Sequence, residues 1–281
     1  FQNGLQGTAF TNHGNMNSFS YAFEKDKKIR KEGKDFRILY GIEAYVHPSI
    51  EQWQIEKDRI ADEKATKSDD EDAGMVVEDE TETKRGIKST LNRRSHLVLV
   101  AQNQTGLNNL FKLTTKSYKG NNFYRFPRMD YAMLKEHSEG VIASTACLGG
   151  VLANDYWNNI ENGRPAVFAA MEKSLKALLD IFGDRLYGEL QWGNYAEQHI
   201  VNQMIIELCN QYGVKLISTC DSHFPSPDMW KDREIYKMLG WLGKRKGDDL
   251  TLDKLPSNMD EMSYQLYPKN GDELFGYYRK F

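Results

Sequence analysis

Five side chains of metal-ligating type stand where strand-like runs give out. His13 follows the run Gly7–Thr11, Glu43 closes the apolar run Phe36–Ile42, Cys147 follows Val141–Thr145, and Asp221 and His223 follow Val214–Thr219. Asp221 and His223 are two residues apart, so an extended backbone turns both to one side. Imidazole, thiol and carboxylate on a common rim are the donor set of a transition-metal centre. Singly, each has an ordinary reading: a hydrogen-bonded His, a loop carboxylate, an inert buried thiol. His96 is different again, because it opens its strand-like run instead of closing it, so the strand-end argument leaves it out.

The elements that must position these groups alternate. Ser18–Gly33 has helical character, with Gly33 as its stop, and separates two strand-like runs, the order of a parallel-sheet unit. His96–Ala101 reads as a buried strand, followed by a helix over Thr105–Ser117. In the segment Pro165–Phe182, Val167, Met171, Leu175, Leu178, Leu179 and Phe182 keep helical spacing, Pro165 suits the first turn and Gly183 ends the run. A strand Leu186–Gln191, a helix Ala196–Tyr212 and the strand Val214–Thr219 follow. Without a glycine-rich dinucleotide fingerprint after any strand, this alternation favours a (β/α) barrel over a doubly wound sheet. In such barrels the C-terminal strand ends form one face, where residues distant in sequence converge.

The 281 residues are 40% hydrophobic and 27% charged, the composition of an ordinary globular chain. The net charge of −3 gives no general reason to bind nucleic acid, so such contact must be local. No run approaches the roughly 20 apolar residues of a membrane span, and no membrane partner is expected. Cys147, Cys209 and Cys220 are too few for a disulfide framework, which makes a reducing, cytoplasmic setting the expectation. Between Asp69 and Glu82 lie eight acidic and no basic residues, so residues 51–93 read as a flexible acidic insertion. His47, His137 and His199 fall outside the strand-end pattern, Cys209 reads as core, and Cys220 should face away from Asp221. Phe1 is not Met, and Phe1–Leu5 reads as a helix tail, so the chain is expected to begin inside a fold.

Several motifs in order resemble one known family. Thr11-Asn12-His13-Gly14-Asn15-Met16, Tyr40-Gly41-Ile42-Glu43-Ala44-Tyr45-Val46, Ser95-His96-Leu97-Val98-Leu99-Val100 and Thr219-Cys220-Asp221-Ser222-His223-Phe224 are similar to elements of the PHP (polymerase and histidinol phosphatase) domain. Pro127-Arg128-Met129-Asp130, Ser138–Ala143 and Cys147-Leu148-Gly149-Gly150 look like runs specific to that domain in bacterial-type DNA polymerase III alpha subunits, a group that includes phage forms.

The resemblance implies a distorted (β/α)7 TIM-like barrel, here lacking its N-terminal strand, at the head of a C-family replicative polymerase. Residues 1–50 and 94–246 would be its two parts, and 247–281 a linker towards the polymerase body. It carries over as metal ligands His13, Glu43, His96, Cys147, Asp221 and His223, and as cofactors up to three divalent ions, zinc or manganese. The activity implied is metal-dependent 3′–5′ exonuclease proofreading, with no single residue assigned as catalytic. The implied partners are the polymerase body, primer–template DNA through the full protein, and other replisome subunits. Two departures bear on this. The family's His-x-His and Asp would lie before residue 1, and Asn12 stands where the family has Asp, removing a charge expected to help orient the His13 imidazole. The alternatives are a non-catalytic scaffold that braces the polymerase or docks a proofreading subunit, and a phosphoesterase of the histidinol phosphatase type.

Overall fold

The structure is a computed structural model that describes residues 4–67, 94–193, 196–241, 256–259, 262 and 265–280. It begins with β1 (Gly7–Phe10), α1 (Phe19–Lys31) and β2 (Arg37–His47), and the two strands pair in parallel from Gly7 against Arg37 to Phe10 against Tyr40. β2 runs on to His47 where a strand ending at Ile42 was expected. Its residues 41 to 44 are all buried, so this stretch is covered on both faces and pairs onward with the next strand. Glu43 therefore sits inside a strand, not at its end.

After α2 (Ile50–Lys67) comes β3 (Ser95–Ala101), which pairs with β2 antiparallel, Tyr45 opposite His96 and Ile42 opposite Leu99. Uniform parallel alternation was expected, and this reversal explains the odd position of His96. The start of an antiparallel strand lies beside the end of its neighbour, so His96 reaches the same rim as the ends of the parallel strands.

The chain continues through α3 (Gln104–Ser117), the short hairpin β4 (Phe123–Tyr124) and β5 (Phe126–Pro127), β6 (Met129–Asp130), which extends the edge of β2, and α4 (Tyr131–Glu136). Asn103 caps α3 by accepting from the Gly106 N–H, and Asp130 caps α4 through the Met133 N–H. Then follow β7 (Val141–Ser144), α5 (Val151–Asn159), α6 (Arg164–Phe182), β8 (Leu186–Gln191), α7 (Ala196–Tyr212), β9 (Lys215–Thr219), α8 (Trp230–Trp241) and α9 (Gly271–Lys280). β7 is antiparallel to β3, and β8 and β9 add in parallel, giving the sheet order β1-β2-β3-β7-β8-β9.

Leu97 and Leu99 of β3, Ala143 of β7, Leu110 and Leu113 of α3, and Met171, Leu175 and Leu178 of α6 meet in one core, each 0–1% exposed. A fully buried side chain of this kind contributes about 2 kcal/mol, which fixes the helices on the outer side of the sheet. The curl of the sheet brings the loops after its outermost strands together, with the His13 and His223 rings 5.7 Å apart. Among the described residues β1 and β9 do not pair. The architecture is a mixed α/β, TIM-like barrel short of a strand.

Two expectations need correcting. The flexible insertion was expected from residue 51, yet helical structure continues to Lys67, with Trp53 1% exposed and the Arg128 guanidinium 4.5 Å from its ring. An aromatic packed in this way anchors the helix. The acidic run Asp69–Glu82 lies outside the described residues. Residues 247–281 were expected to be a linker, but Tyr267 and Lys269 are buried and α9 is formed. The helix tail read at Phe1–Leu5 falls largely outside the described residues, and residues 4–6 are irregular. No helix of the described chain is long and apolar enough to cross a membrane.

Candidate metal centre

Glu43 is the hub of the rim. It is 5% exposed, and its two carboxylate oxygens each meet an imidazole: Oε2 lies 2.7 Å from His13 Nδ1, and Oε1 lies 2.8 Å from His96 Nδ1. Backbone pairing presets this contact. The Glu43 N–H donates to Asn12 O at 3.0 Å, and the Gly14 N–H donates to Glu43 O at 2.8 Å, so the residue after β1 is stitched beside the middle of β2.

Cys147 closes the cluster from β7. Its Sγ lies 3.5 Å from His96 Nδ1 and 3.8 Å from Glu43 Oε1, and accepts from the Gly149 N–H at 3.3 Å. The turn that delivers it is strained. Ala146 has φ +61°, a left-handed conformation that costs a residue with a Cβ about 1–2 kcal/mol. Gly149 allows the close approach that follows, since a Cβ there would stand 2.9 Å from His96 Nδ1, while the His96 N–H donates to Gly149 O at 2.8 Å.

The loop after β9 brings Asp221 and His223. Asp221 is also left-handed, φ +46°, which an Asp tolerates better than most residues. His223 Nδ1 lies 2.7 Å from the Asp221 carbonyl, which leaves Nε2 as the ring's lone-pair donor. The His223 N–H donates to Leu266 O at 2.8 Å, and the Cys220 sulfur accepts from the Lys269 N–H at 3.3 Å, so Cys220 does face away from the rim. Residues Leu266–Lys269 thus brace the loop. Their irregular backbone and mixed composition carry no periodic signal that could have announced this.

The charges follow from these contacts. Burial works to raise the Glu43 pKa, but hydrogen bonds from His13 and His96 outweigh it and hold the carboxyl at about 2. The same bond from Glu43 raises His13 above 6.5, against a smaller opposing effect of burial. Burial, then the Asp221 and Glu43 charges, push the Cys147 thiol up, and burial raises the Asp221 carboxyl. Carboxyl and thiol groups are thereby gathered in one pocket, where the His13 and His96 imidazoles meet the Glu43 charge directly.

His13, Glu43 and His96 offer ligand atoms all within 4.8 Å of one another, and Cys147 touches two of them. Nitrogen, oxygen and sulfur at this spacing fit a divalent transition ion, whose ligands stand about 2.0–2.3 Å from it. Asp221 and His223 flank this group without direct contact to Glu43 or Cys147 among the described hydrogen bonds, and the His223 ring sits beside that of His13. Asn12 differs from expectation: its side chain accepts a bond from Ser18 Oγ at the start of α1, not from His13, and its carbonyl is what reaches the site. The other three imidazoles lie elsewhere. His199 bonds Gly193 O at 2.9 Å, His137 is buried beside Glu136, and His47 bonds Ser49 O at 2.8 Å.

Two residues outside the expected ligand set also belong here. Tyr45 stacks parallel to His13 at 6.4 Å and sits 5.3 Å from the His96 ring. Arg94 lies 5.5 Å from the Tyr45 ring and 3.6 Å over that of Phe126, bringing a cation to the rim.

Comparison with known proteins points one way. The family described as the PHP domain matches residues 1–192. DNA polymerase III subunit alpha of Helicobacter pylori is 30% identical over 276 residues, 96% of this chain and 19% of that protein. The subunit alpha of Aquifex aeolicus is 43% identical over 151 residues, 54% of this chain and 12% of that protein. That of Thermus aquaticus is 33% identical over 203 residues, 72% of this chain and 15% of that protein. The chain spans about a fifth or less of the length of these relatives.

Proposed function

Because this chain belongs to the PHP domain family, we propose that it is the PHP domain of a replicative DNA polymerase and that its rim is a metal-dependent 3′–5′ exonuclease centre. In this reading the domain comprises residues 1–67 and 94–246, with α2 packed on it through Trp53, and 247–281, which carry α9, lead on towards a polymerase body. The carrying observation is the meeting of His13, Glu43, His96 and Cys147, drawn from four separate parts of the sheet, around one point. Asp221 and His223 complete the ligand set from the far edge.

Bound divalent ions, zinc for the Cys and His donors or manganese for the carboxylates, would acidify a water and stabilise the charge of a scissile phosphodiester. The chain's own residues do the rest. Glu43 orients His13 and His96 through Nδ1. Gly149 holds Cys147 Sγ, and the Asp221 carbonyl sets the His223 tautomer. Arg94, stacked over Phe126 beside Tyr45, supplies a positive charge where phosphates of the 3′-terminal strand would arrive. The polymerase body, the primer–template DNA and other replisome subunits are the partners of this reading, in a reducing cytoplasm that keeps Cys147 free to ligate.

The test is metal analysis of the intact protein, together with release of 3′-terminal nucleotides from single-stranded DNA by wild type and His223→Ala. Bound metal with nuclease activity lost in His223→Ala supports the proposal. Metal-free, inactive protein would assign the domain a scaffold role, and turnover of a phosphate monoester in place of DNA would assign a phosphoesterase.

A further inference from the structure

One buried acid lies outside the ligand set. Glu189, in the middle of β8, is 4% exposed. Its Oε2 accepts from Ser144 Oγ on β7, and its Oε1 accepts from Thr219 Oγ1 on β9 at 2.5 Å and from Gln191 Nε2 at 3.0 Å. Its own N–H donates to Thr145 Oγ1 at 2.9 Å. Both oxygens are filled as acceptors by neutral donors, the pattern of an ionised carboxylate. No cationic side chain among the described residues pairs with it, and a buried anion without a counter-charge costs several kcal/mol.

The missing positive charge has an obvious place. Ser144 is three residues before Cys147, and Thr219 is two before Asp221, so the strands that cradle Glu189 are those that deliver two of the ligands. A divalent ion held by those ligands would supply the positive charge that this buried carboxylate lacks.

We propose that Glu189 is a positioning and counter-charge residue for the metal centre: a fixed anion behind the ligands, locked by Ser144, Thr219 and Gln191, that strengthens cation binding without touching the ion. This rests on the metal-binding reading above. Outer groups of this kind typically alter metal affinity by about 10- to 100-fold.

The experiment compares stripped intact protein titrated calorimetrically with Mn²⁺ and Zn²⁺ as wild type, Glu189→Gln and Glu189→Asp. Glu189→Gln keeps the length and loses the charge, and is expected to bind about tenfold more weakly. Glu189→Asp keeps the charge, and is expected to retain most of the affinity. Equal affinity of Glu189→Gln and wild type overturns the inference, as does a loss in Glu189→Asp as large as that in Glu189→Gln. Wild type that binds neither ion sinks the metal reading itself, a separate failure.

Thr219→Val removes one donor and keeps the charge, which covers the case in which Glu189→Gln does not fold. Its loss of Tm is expected to be larger in the stripped than in the metal-loaded protein, because the ion takes over compensation of the carboxylate. Equal losses in both forms would show a purely structural role.

Discussion

The imidazoles of His13 and His223 stand 5.7 Å apart, although the strands they follow, β1 and β9, lie at opposite ends of the sheet order. Curvature of the sheet, not pairing of its edges, brings them together. The rim is therefore built by shape, and its ligand geometry depends on strands and turns well away from the donor atoms.

Metal uptake should release a proton. Glu43 raises His13, so this imidazole carries its charge to a higher pH than a free histidine and must lose it to bind a cation. The stabilising pair has two limits. His13, raised in the fold, contributes stability that is full below 6.5 and lost as pH rises through its raised pKa; Glu43, lowered in the fold, contributes stability present above 4.5 and lost as pH falls towards about 2. Stripped protein should thus gain most from this pair between these two ordinary values, while metal affinity climbs with pH above them. Calorimetry in buffers of different ionisation enthalpy counts the proton; no pH dependence of affinity between 6 and 8 would contradict the assignment.

Cys147 should decide which metal is preferred. Thiolate is the softest donor of the set, and burial keeps it a neutral thiol until an ion displaces its proton. Cys147→Ser is expected to weaken zinc binding by more than tenfold and manganese binding much less. Competition titration with a metallochromic chelator reads the two affinities, and a parallel loss for both ions would remove Cys147 from the ligand set.

The turn before it stores strain that a substitution can reveal. Ala146 is 3% exposed at φ +61°. Ala146→Val adds a β-branched side chain where neither backbone nor packing admits one, and should cost about 2–3 kcal/mol in chemical denaturation. Ala146→Gly relieves the backbone but loses a buried methyl, so a change within about 1 kcal/mol is expected. Tolerance of Val would mean that the turn is not held in this conformation.

α2 offers the plainest stability contrast. Trp53 is 1% exposed on that helix and Ile55 is 63% exposed. Trp53→Ala should cost about 3–5 kcal/mol and Ile55→Ala less than about 0.5 kcal/mol. Similar small effects at both positions would show that the helix contributes little to the folded domain.

Much of the fold was legible because it rests on local signals. Pro165, Gly183 and the apolar spacing between them mark α6, and the runs at Leu186–Gln191 and Ala196–Tyr212 coincide with β8 and α7. The pairing direction of β3 was not legible, because an isolated apolar run carries no record of its neighbours' direction; hence His96 looked misplaced. Glu43 looked terminal because a charged residue inside an apolar run resembles a boundary, until burial by His13 and His96 is known. Trp53 was hidden by the charged residues around it, and Glu189 by reading as an ordinary polar position in a strand. Each of these depends on contacts between residues far apart in the chain.

The reversal of β3 has a consequence for how this domain can change. Val46 stands opposite Ser95, so the backbone leaves the sheet and returns to it at almost the same spot. Everything between is a detour with a shared doorway, and the entropy of closing such a detour grows only logarithmically, about 0.6 kcal/mol for each doubling. Lineages are thus free to lengthen, shorten or recharge the outer part of that excursion at little thermodynamic expense, while the hub carboxylate next to the doorway keeps its place.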